Sequence, residues 1–169
     1  MSGYQCAPTI TTERLVLTPL RVEDADEMVR VLEDERLHEF IGGHPVTLDE
    51  LRQRCRSLVA GPSEPSEVWL NWTVRLKPKG TAVGALQASI TEGADPAADV
   101  AWVIGVPWQR RGLASEAARA LVDWLNSMGV KRISASIHPN NLASAAVAAR
   151  AGLEPTDDIR DGERVWRLR

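Results

Sequence analysis

The sequence contains few of the residues from which disulfide and metal frameworks are built. It has two cysteines, Cys6 and Cys55, and three histidines among 169 residues. Two cysteines are too few for a disulfide framework, so we expect free thiols in a reducing compartment. The histidines and cysteines lie at scattered positions without the spacing of metal ligands, so we expect no metal site.

Long apolar runs and a large net charge are also missing. No stretch approaches the ~20 apolar residues that span a membrane, and residues 1–20 contain no continuous apolar run of the kind found in signal peptides. We therefore expect no membrane segment and a cytoplasmic location. The net charge of -3 gives no reason to expect nucleic-acid binding.

The chain does have the composition of an ordinary globular domain. Hydrophobic residues make up 44% of it and charged residues 25%, and its length favours one domain with a sizeable core. We assign this domain to residues 1–169, with residues 1–11 as a loose tail. Strand-like apolar runs alternate with helical periodicity, which predicts an α/β fold in which helices flank one mixed central sheet.

The segment Gln109–Ala114 carries the strongest functional signal. It follows a strand-like apolar run over 100–104 and precedes a helical pattern over 115–128. The first N–H groups of a helix have no partner within the helix, and the helix dipole adds partial positive charge there. Such a loop is suited to a phosphate or pyrophosphate, and Gly112 lets the backbone approach an anion closely.

Arg110 and Arg111 add cationic side chains to this loop. The sequence has neither the glycine pattern of P-loop NTPases nor that of Rossmann dinucleotide enzymes. The loop is also compatible with a plain strand-to-helix turn. If it binds an anion, it does so in a different way from those two classes.

A second motif, Asn141-Leu142-Ala143-Ser144, opens the next helical segment. Taken alone, Asn141 is a good N-cap and Ser144 a tolerated helix residue. The motif lies one helix and one strand after the anion loop. If the strands over 100–104 and 132–137 are neighbours, both helix starts open at the same end of the sheet, where α/β proteins bind ligands.

The order of these motifs resembles that of the GNAT N-acetyltransferases, and in particular their RimJ/RimL-like branch. The resemblance is carried by Gln-x-x-Gly-x-Ala at 109–114, by Asn-x-x-Ser at 141–144 and by Gly152-Leu153 after the last helix. Three further matches are Thr12–Leu17, Asp24 and Ser115–Ala117. The resemblance extends from about Thr12 to the end of the chain, and it implies the GNAT fold, with a sheet splayed at the cofactor cleft.

The resemblance also implies acetyl-CoA as the cofactor. The diphosphate would lie on the loop amides, the pantetheine arm would pair with the strand before the loop, and Asn141 would contact that arm. The positions that match the family's cofactor site are Ile104, Val106, Arg110, Arg111, Gly112, Leu113, Ala114, Ser115 and Asn141.

Three residues are candidates for the chemistry that the resemblance implies. Many family members place a tyrosine on the last helix to protonate the leaving thiolate, but the one tyrosine here is Tyr4. Ser144 is therefore the candidate donor. Asp99 and His138 are candidate bases acting through water, and each has a plainer interpretation, as a turn acid and as a packed residue at a strand end.

The sequence carries the least information about the acceptor substrate. The tryptophans in the predicted strands are either core residues or the lining of an aromatic pocket. The acids of the segment 38–44, together with Glu35 and Glu92, could attract an amine cation, or the segment is a solvated loop. We expect direct acetyl transfer to the primary amine of a small molecule. A protein N-terminus is the enzymatic alternative, and a non-catalytic acyl-CoA-binding regulatory module is the other. A homodimer is plausible by resemblance.

Overall fold

The computed structural model describes residues 4–169, and within them eight strands form one sheet. Its order is β1-β2-β3-β4-β5-β6-β8-β7. Neighbouring strands are antiparallel except for β5 and β6, which are parallel, so the predicted mixed sheet is confirmed. The strands are β1 (Ile10–Thr11), β2 (Leu15–Pro19), β3 (Glu67–Leu76), β4 (Thr81–Thr91), β5 (Ala97–Ile104), β6 (Arg132–Ile137), β7 (Leu153–Arg160) and β8 (Glu163–Leu168).

The same residues form five α-helices: α1 (Ala25–Val31), α2 (His38–Ile41), α3 (Leu48–Ala60), α4 (Leu113–Ser127) and α5 (Leu142–Arg150). Short 3₁₀ turns occupy Val22–Asp24, Glu35–Leu37 and Val106–Trp108. The start of α3 is a capping box, in which the Thr47 hydroxyl accepts from the Glu50 N–H at 3.3 Å and the Glu50 carboxylate accepts from the Thr47 N–H at 2.7 Å. The backbone hydrogen bond from Thr47 lowers the pKa of Glu50.

Helices cover both faces of the sheet. Alternate residues of β5, among them Ala98 and Val100, are buried in a core that includes Leu121 and Leu125 of α4, and burying such a leucine contributes about 1.5–3 kcal/mol. A second cluster packs α1 and α3 on the opposite face, where Met28, Leu51 and Cys55 are buried. The alternation of strand residues therefore separates the α4 side from the α1–α3 side.

The amino-terminal segment is attached to the sheet, so the prediction of a loose tail over residues 1–11 is wrong for the described part of it. Ile10–Thr11 pairs with β2, and the carbonyl of Pro8 accepts a 2.7 Å hydrogen bond from the indole Nε1 of Trp72. Trp72 is fully buried, and a buried indole N–H needs an acceptor. Residues 1–3 of the expected tail lie outside the described residues.

The sheet opens between its two parallel strands. Strands β5 and β6 pair only from Ala97 opposite Arg132 to Asp99 opposite Ser134, and the rest of β5 continues without β6. Because the strands are parallel, the starts of α4 and α5 lie at this open end. None of the helices in the described part of the chain is long and apolar enough to cross a membrane.

Candidate active site

A cleft of about 510 Å³ occupies the open end of the sheet. Its walls come from the end of β5, the start of α4, the start of α5 and the short helix α2. It therefore brings together the two motifs that the sequence singled out. Among the residues that line it are Phe40, Trp102, Ile104, Trp108, Arg110, Gly112, Leu113, Ala114, Ser115, Asn141 and Ser144.

The loop before α4 leaves its backbone donors unpaired. Gly112 is the N-cap of α4 with φ of +75°, and Arg110 also has a positive φ, of 60°. Among the described residues, no acceptor binds the N–H groups of residues 110–115; the first one paired is that of Glu116, which donates to the Gly112 carbonyl at 3.1 Å. Six free amides at a helix N-terminus form a strong anion-binding arrangement.

A polar clamp from the amino-terminal strand region holds this loop. Arg14 donates to the Arg111 carbonyl at 2.8 Å and to the Glu116 carboxylate at 2.7 Å, and the Thr12 hydroxyl donates to the same carboxylate at 2.6 Å. Although its partial burial alone would raise the pKa of Glu116, the hydrogen bonds from Thr12 and Arg14 lower it overall. The clamp turns the Arg111 carbonyl away from the cleft and towards Arg14.

The clamp was missed at the sequence level, although its parts were visible. Thr12–Leu17 and Ser115–Ala117 were both noted as matches to the family, about a hundred residues apart. Nothing in the spacing connects them, because the contact forms only when β2 and α4 pack in the folded chain. Arg111 contributes its carbonyl to the clamp, and it does not line the cleft.

The exposed edge of β5 provides a second set of main-chain groups. The Gly105 N–H donates to Val83 of β4 at 2.8 Å, and antiparallel ladders alternate in direction. The N–H groups of Trp102 and Ile104 therefore point away from β4, into the splay. The Gln109 side chain donates to the Ile104 carbonyl at 2.9 Å, which leaves the Ile104 N–H available.

We expected the segment from Ile104 to Val106 to pair with the pantetheine arm. In the structure, Val106 is not part of the free strand edge. Val106 begins a 3₁₀ turn, where its carbonyl accepts from the Gln109 N–H at 3.2 Å, and it does not line the cleft. The turn includes Pro107, which has no N–H to offer a ladder. The free strand edge consists of Trp102 and Ile104 instead.

Asn141 and Ser144 both reach the cleft. The Asn141 side-chain oxygen accepts from the Ser144 N–H at 3.1 Å, so its interpretation as an N-cap is correct. Its amide NH₂ group and the Ser144 hydroxyl have no hydrogen-bond partner within residues 4–169. Asn141 therefore caps α5 with one end of its amide and can donate into the cleft with the other.

The two candidate bases lie away from the cleft lining. The Asp99 carboxylate is exposed, accepts from Ser134 Oγ at 2.5 Å and pairs with Arg160 at 3.1 Å. The ring of His138 packs against Phe40 with centroids 5.4 Å apart, and its Nδ1 accepts from the Asn140 N–H at 3.1 Å. His138 is thus separated from the cleft by Phe40, and Asp99 is held by its own partners.

Three arginines line the cleft. Besides Arg110, the lining includes Arg36 and Arg150, which sequence reasoning did not select because nothing local distinguishes them from surface arginines. Arg36 binds Asp34 through two side-chain hydrogen bonds, of 3.0 and 2.7 Å, and this contact lowers the pKa of Asp34 to about 2. A cationic rim on a chain of net charge -3 is a local feature suited to an anion.

A second cavity of about 240 Å³ lies on the α1–α3 side of the sheet. It shares Ile41, Trp102 and Val103 with the cleft, so the two spaces adjoin beside the free edge of β5. Trp72 also lines it. Of the acids named as possible attractants of an amine, Glu39 of the segment 38–44 lines the cleft, whereas Glu35 and Glu92 line neither space.

Comparisons with known proteins agree with this geometry. The model of the acetyltransferase (GNAT) domain matches residues 14–154. An uncharacterised N-acetyltransferase p20 from Bacillus licheniformis is 22% identical over 157 residues, covering 92% of this chain and 88% of that protein. Among solved structures, an acetyltransferase from Agrobacterium tumefaciens is 29% identical with a TM-score of 0.72, covering 100% of this chain and 98% of that one.

A further structural match is Mycobacterium smegmatis RimJ in complex with CoA-disulfide. It has a TM-score of 0.79 and 20% identity, and the match covers 98% of this chain and 88% of that one. Since the domain model spans most of the chain, the protein belongs to the GNAT acetyltransferase family. It is an acetyl-CoA-dependent N-acetyltransferase with RimJ/RimL-like relatives.

Proposed function

We propose that this enzyme transfers acetyl from acetyl-CoA to the primary amine of a small molecule by direct attack, without an acetylated enzyme intermediate. The observation that carries this proposal is the junction of two cavities at Trp102 and Val103. One cavity has the free amides and arginines that suit a diphosphate. The other lies between α1, α3 and the sheet, is partly open to solvent, and reaches the same unpaired strand edge.

The residues of the cleft fit the cofactor. The free amides of residues 110–115 would hold the diphosphate, with Arg110, Arg36 and Arg150 at the rim. The edge of β5 at Trp102 and Ile104 would pair with the amides of the pantetheine arm, and the Asn141 NH₂ group would donate to it. When bound, acetyl-CoA supplies the acetyl group as a thioester.

The transfer balances without a covalent enzyme species. A C–N bond forms between the amine and the acetyl carbon, the C–S bond breaks, one proton leaves the amine, and one proton goes to the thiolate. A main-chain N–H at the splay would donate to the carbonyl oxygen as negative charge develops there. Ser144 would donate its hydroxyl hydrogen bond to the departing sulfur, a role for which its unpartnered hydroxyl in the cleft is suited.

Deprotonation of the amine is the step with the least support from the protein. Neither Asp99 nor His138 lines the cavities, so either would act through water. A lysine-like amine of pKa ~10.4 is neutral about once in 2,500 molecules at pH 7, and an α-amine near ~8 about once in ten. An acceptor of lower pKa therefore needs less help from a base.

The volume of the second cavity favours a small acceptor over a protein N-terminus. At about 240 Å³ it lies below the roughly 300–1,000 Å³ typical of sites for drug-sized ligands. A protein α-amine remains the second candidate, since its lower pKa reduces the need for a base. The free Ser144 hydroxyl at the cleft argues against a purely non-catalytic module.

Calorimetry and turnover together test the proposal. We expect calorimetry to detect binding of acetyl-CoA to the purified protein. Release of the CoA thiol should require an added amine, and mass spectrometry should then identify an N-acetylated small molecule. Absence of acetyl-CoA binding would overturn the proposed function. Binding with acetylation of peptide N-termini alone would replace the small molecule by the second candidate.

A further inference from the structure

The second cavity has apolar walls and one cation. Its walls are formed mainly by aliphatic side chains from α1, α3, β4 and β5, and Asn71, Thr73 and Gln87 are polar members of the lining. Arg54 is the one charged residue in its lining, judged over residues 4–169. No acidic side chain and no histidine lines it there, so nothing in the wall attracts an amine as a cation.

Arg54 is placed for an external anion. It lies on the face of α3 that also carries Leu51, Cys55 and Leu58, all of which line the cavity. Among the described residues it forms no ion pair, whereas Arg52 on the same helix pairs with Asp26 at 2.8 Å. The acid nearest in sequence, Glu50, is held by Thr47 in the capping box. Arginine's planar fork suits a carboxylate.

We infer that the acceptor is an apolar amine carrying a carboxylate, such as an aliphatic or aromatic amino acid, with its carboxylate on Arg54. This inference rests on the proposed function. The amine must reach the free edge of β5 at Trp102 and Val103, where the two cavities adjoin. The apolar body lies against Met28, Leu51 and Leu58, and the carboxylate supplies the ion pair that the Arg54 guanidinium lacks.

The cavity selects against two other kinds of amine. A second cationic group on the acceptor would face Arg54 and lose affinity by like-charge repulsion. A strongly polar body would lose its hydration against aliphatic walls without regaining hydrogen bonds. Polyamines and aminosugars are therefore disfavoured, although both carry primary amines.

Matched pairs of acceptors test the role of the carboxylate. Leucine is compared with 3-methylbutylamine and leucinamide, and phenylalanine with 2-phenylethylamine. Thiol release is measured at saturating acetyl-CoA, and kcat/KM is expressed per concentration of neutral amine, because the carboxylate alters the amine pKa. We expect the carboxylate-bearing member to be favoured about tenfold, the effect of one charge-assisted hydrogen-bonded contact.

Substitutions at Arg54 separate its charge from the rest of the cavity. Arg54→Ala should remove the preference, and Arg54→Glu should reverse it, so that the amine without a carboxylate is favoured. Arg56→Glu is the matched control, because Arg56 is an exposed arginine of the same helix that does not line the cavity. That variant should keep the wild-type preference and the wild-type affinity for acetyl-CoA.

The outcomes distinguish this inference from the proposed function. An enzyme that binds acetyl-CoA and acetylates both members of each pair equally, or keeps its preference in Arg54→Glu, would overturn the inference and leave the acetyltransferase intact. An enzyme that binds acetyl-CoA and takes peptide N-termini but neither amino acid also overturns it. Failure to bind acetyl-CoA would refute the proposed function itself.

Discussion

The two spaces that adjoin at Trp102 are built by different kinds of interaction. The cofactor end is made of backbone donors whose direction is held by specific hydrogen bonds, from Arg14 to Arg111 and from Gln109 to Ile104. The proposed acceptor end is made mainly of apolar side chains that pack between α1, α3 and the sheet, and Asn71, Thr73, Gln87 and Arg54 are its polar members. One end is specified by hydrogen-bond geometry and the other by shape.

The two ends should differ in how well they tolerate amino-acid substitutions. A backbone anion site depends on φ and ψ at a few positions, so a single side chain in the wrong place disables it. A packed apolar cavity can exchange residues of similar volume at a cost usually below ~1.5 kcal/mol. Substitutions should therefore alter acceptor selectivity more readily than they alter the cofactor.

The largest expected effect is at Gly112. Gly112→Asp adds a Cβ 3.4 Å from the Arg14 guanidinium at φ of +75° and places a negative charge at the proposed phosphate position. We expect acetyl-CoA affinity, measured by calorimetry, to fall on the order of 100-fold, about 2.7 kcal/mol. Gly129→Asp is the control, since Gly129 also has a positive φ, of +91°, and its Cβ would meet nothing within 4 Å. Equal losses in both variants would refute the loop assignment.

Loss of the Ser144 hydroxyl should affect turnover but not cofactor affinity. We expect Ser144→Ala to lower kcat about tenfold, the equivalent of about 1.4 kcal/mol of transition-state stabilisation, with the Kd for acetyl-CoA nearly unchanged. Ser127→Ala, at the far end of α4, is the control and should be kinetically silent. Unchanged turnover in Ser144→Ala would remove this residue from the mechanism.

The clamp on the loop should produce a smaller, pH-dependent effect. The pKa of Glu116 is lowered from 4.5 in the folded protein, so its contribution to stability is present above about pH 4.5 and is lost as the pH falls through the lowered value. We expect Glu116→Gln to reduce Tm by about 2–4 °C at pH 7, for a loss near 1 kcal/mol.

The difference in Tm between the wild type and Glu116→Gln should disappear in acid, because the wild-type carboxyl is then neutral too. The acetyl-CoA affinity of the variant should fall a few-fold at pH 7. Asp123→Asn neutralises an exposed carboxylate on the same helix, which is paired with Arg119, and should change neither quantity. A Tm difference that persists unchanged below the lowered pKa would contradict the clamp.

The smallest expected effect concerns thiol reactivity at the acceptor end. Cys55 is buried and lines the second cavity, and burial raises its pKa, whereas Cys6 is exposed. Iodoacetamide should therefore alkylate Cys6 first, as followed by peptide mass spectrometry. A bound acceptor should slow labelling of Cys55 a few-fold and leave Cys6 unchanged. Equal protection of both thiols would place the acceptor elsewhere.

The parts of the fold that depend on local spacing were predictable. The capping box at Thr47 and the cap of α5 by Asn141 each join residues three positions apart in the sequence, so both are local signals, and the predicted N-cap at Asn141 is confirmed. The segment at residues 10–11 was not predictable as a strand, because two residues carry no periodicity and pairing with β2 decides their conformation.

The residues of the candidate site also divide into those with a local signature in the sequence and those without one. Gly112 and Asn141 were found because a loop and a helix cap have short-range signatures, and both line the cleft. Val106, which the resemblance alone selected, begins a 3₁₀ turn and does not line the cleft. Arg36, Arg54 and Arg150 were not found, because an arginine beside a cavity has no distinguishing neighbours in the sequence.

The sequence by itself determined the alternation of helices and strands, the positive-φ loop before α4 and the family to which the chain belongs. Each of these depends on residues within a few positions of one another. Only the tertiary structure decided how far the strands splay, which carbonyls Arg14 and Gln109 hold, and what lines the acceptor cavity. Most of those features join residues far apart in the sequence, such as Arg14 with Arg111 and Leu20 with Val103, and contacts over such separations are set by packing rather than by local conformational preference.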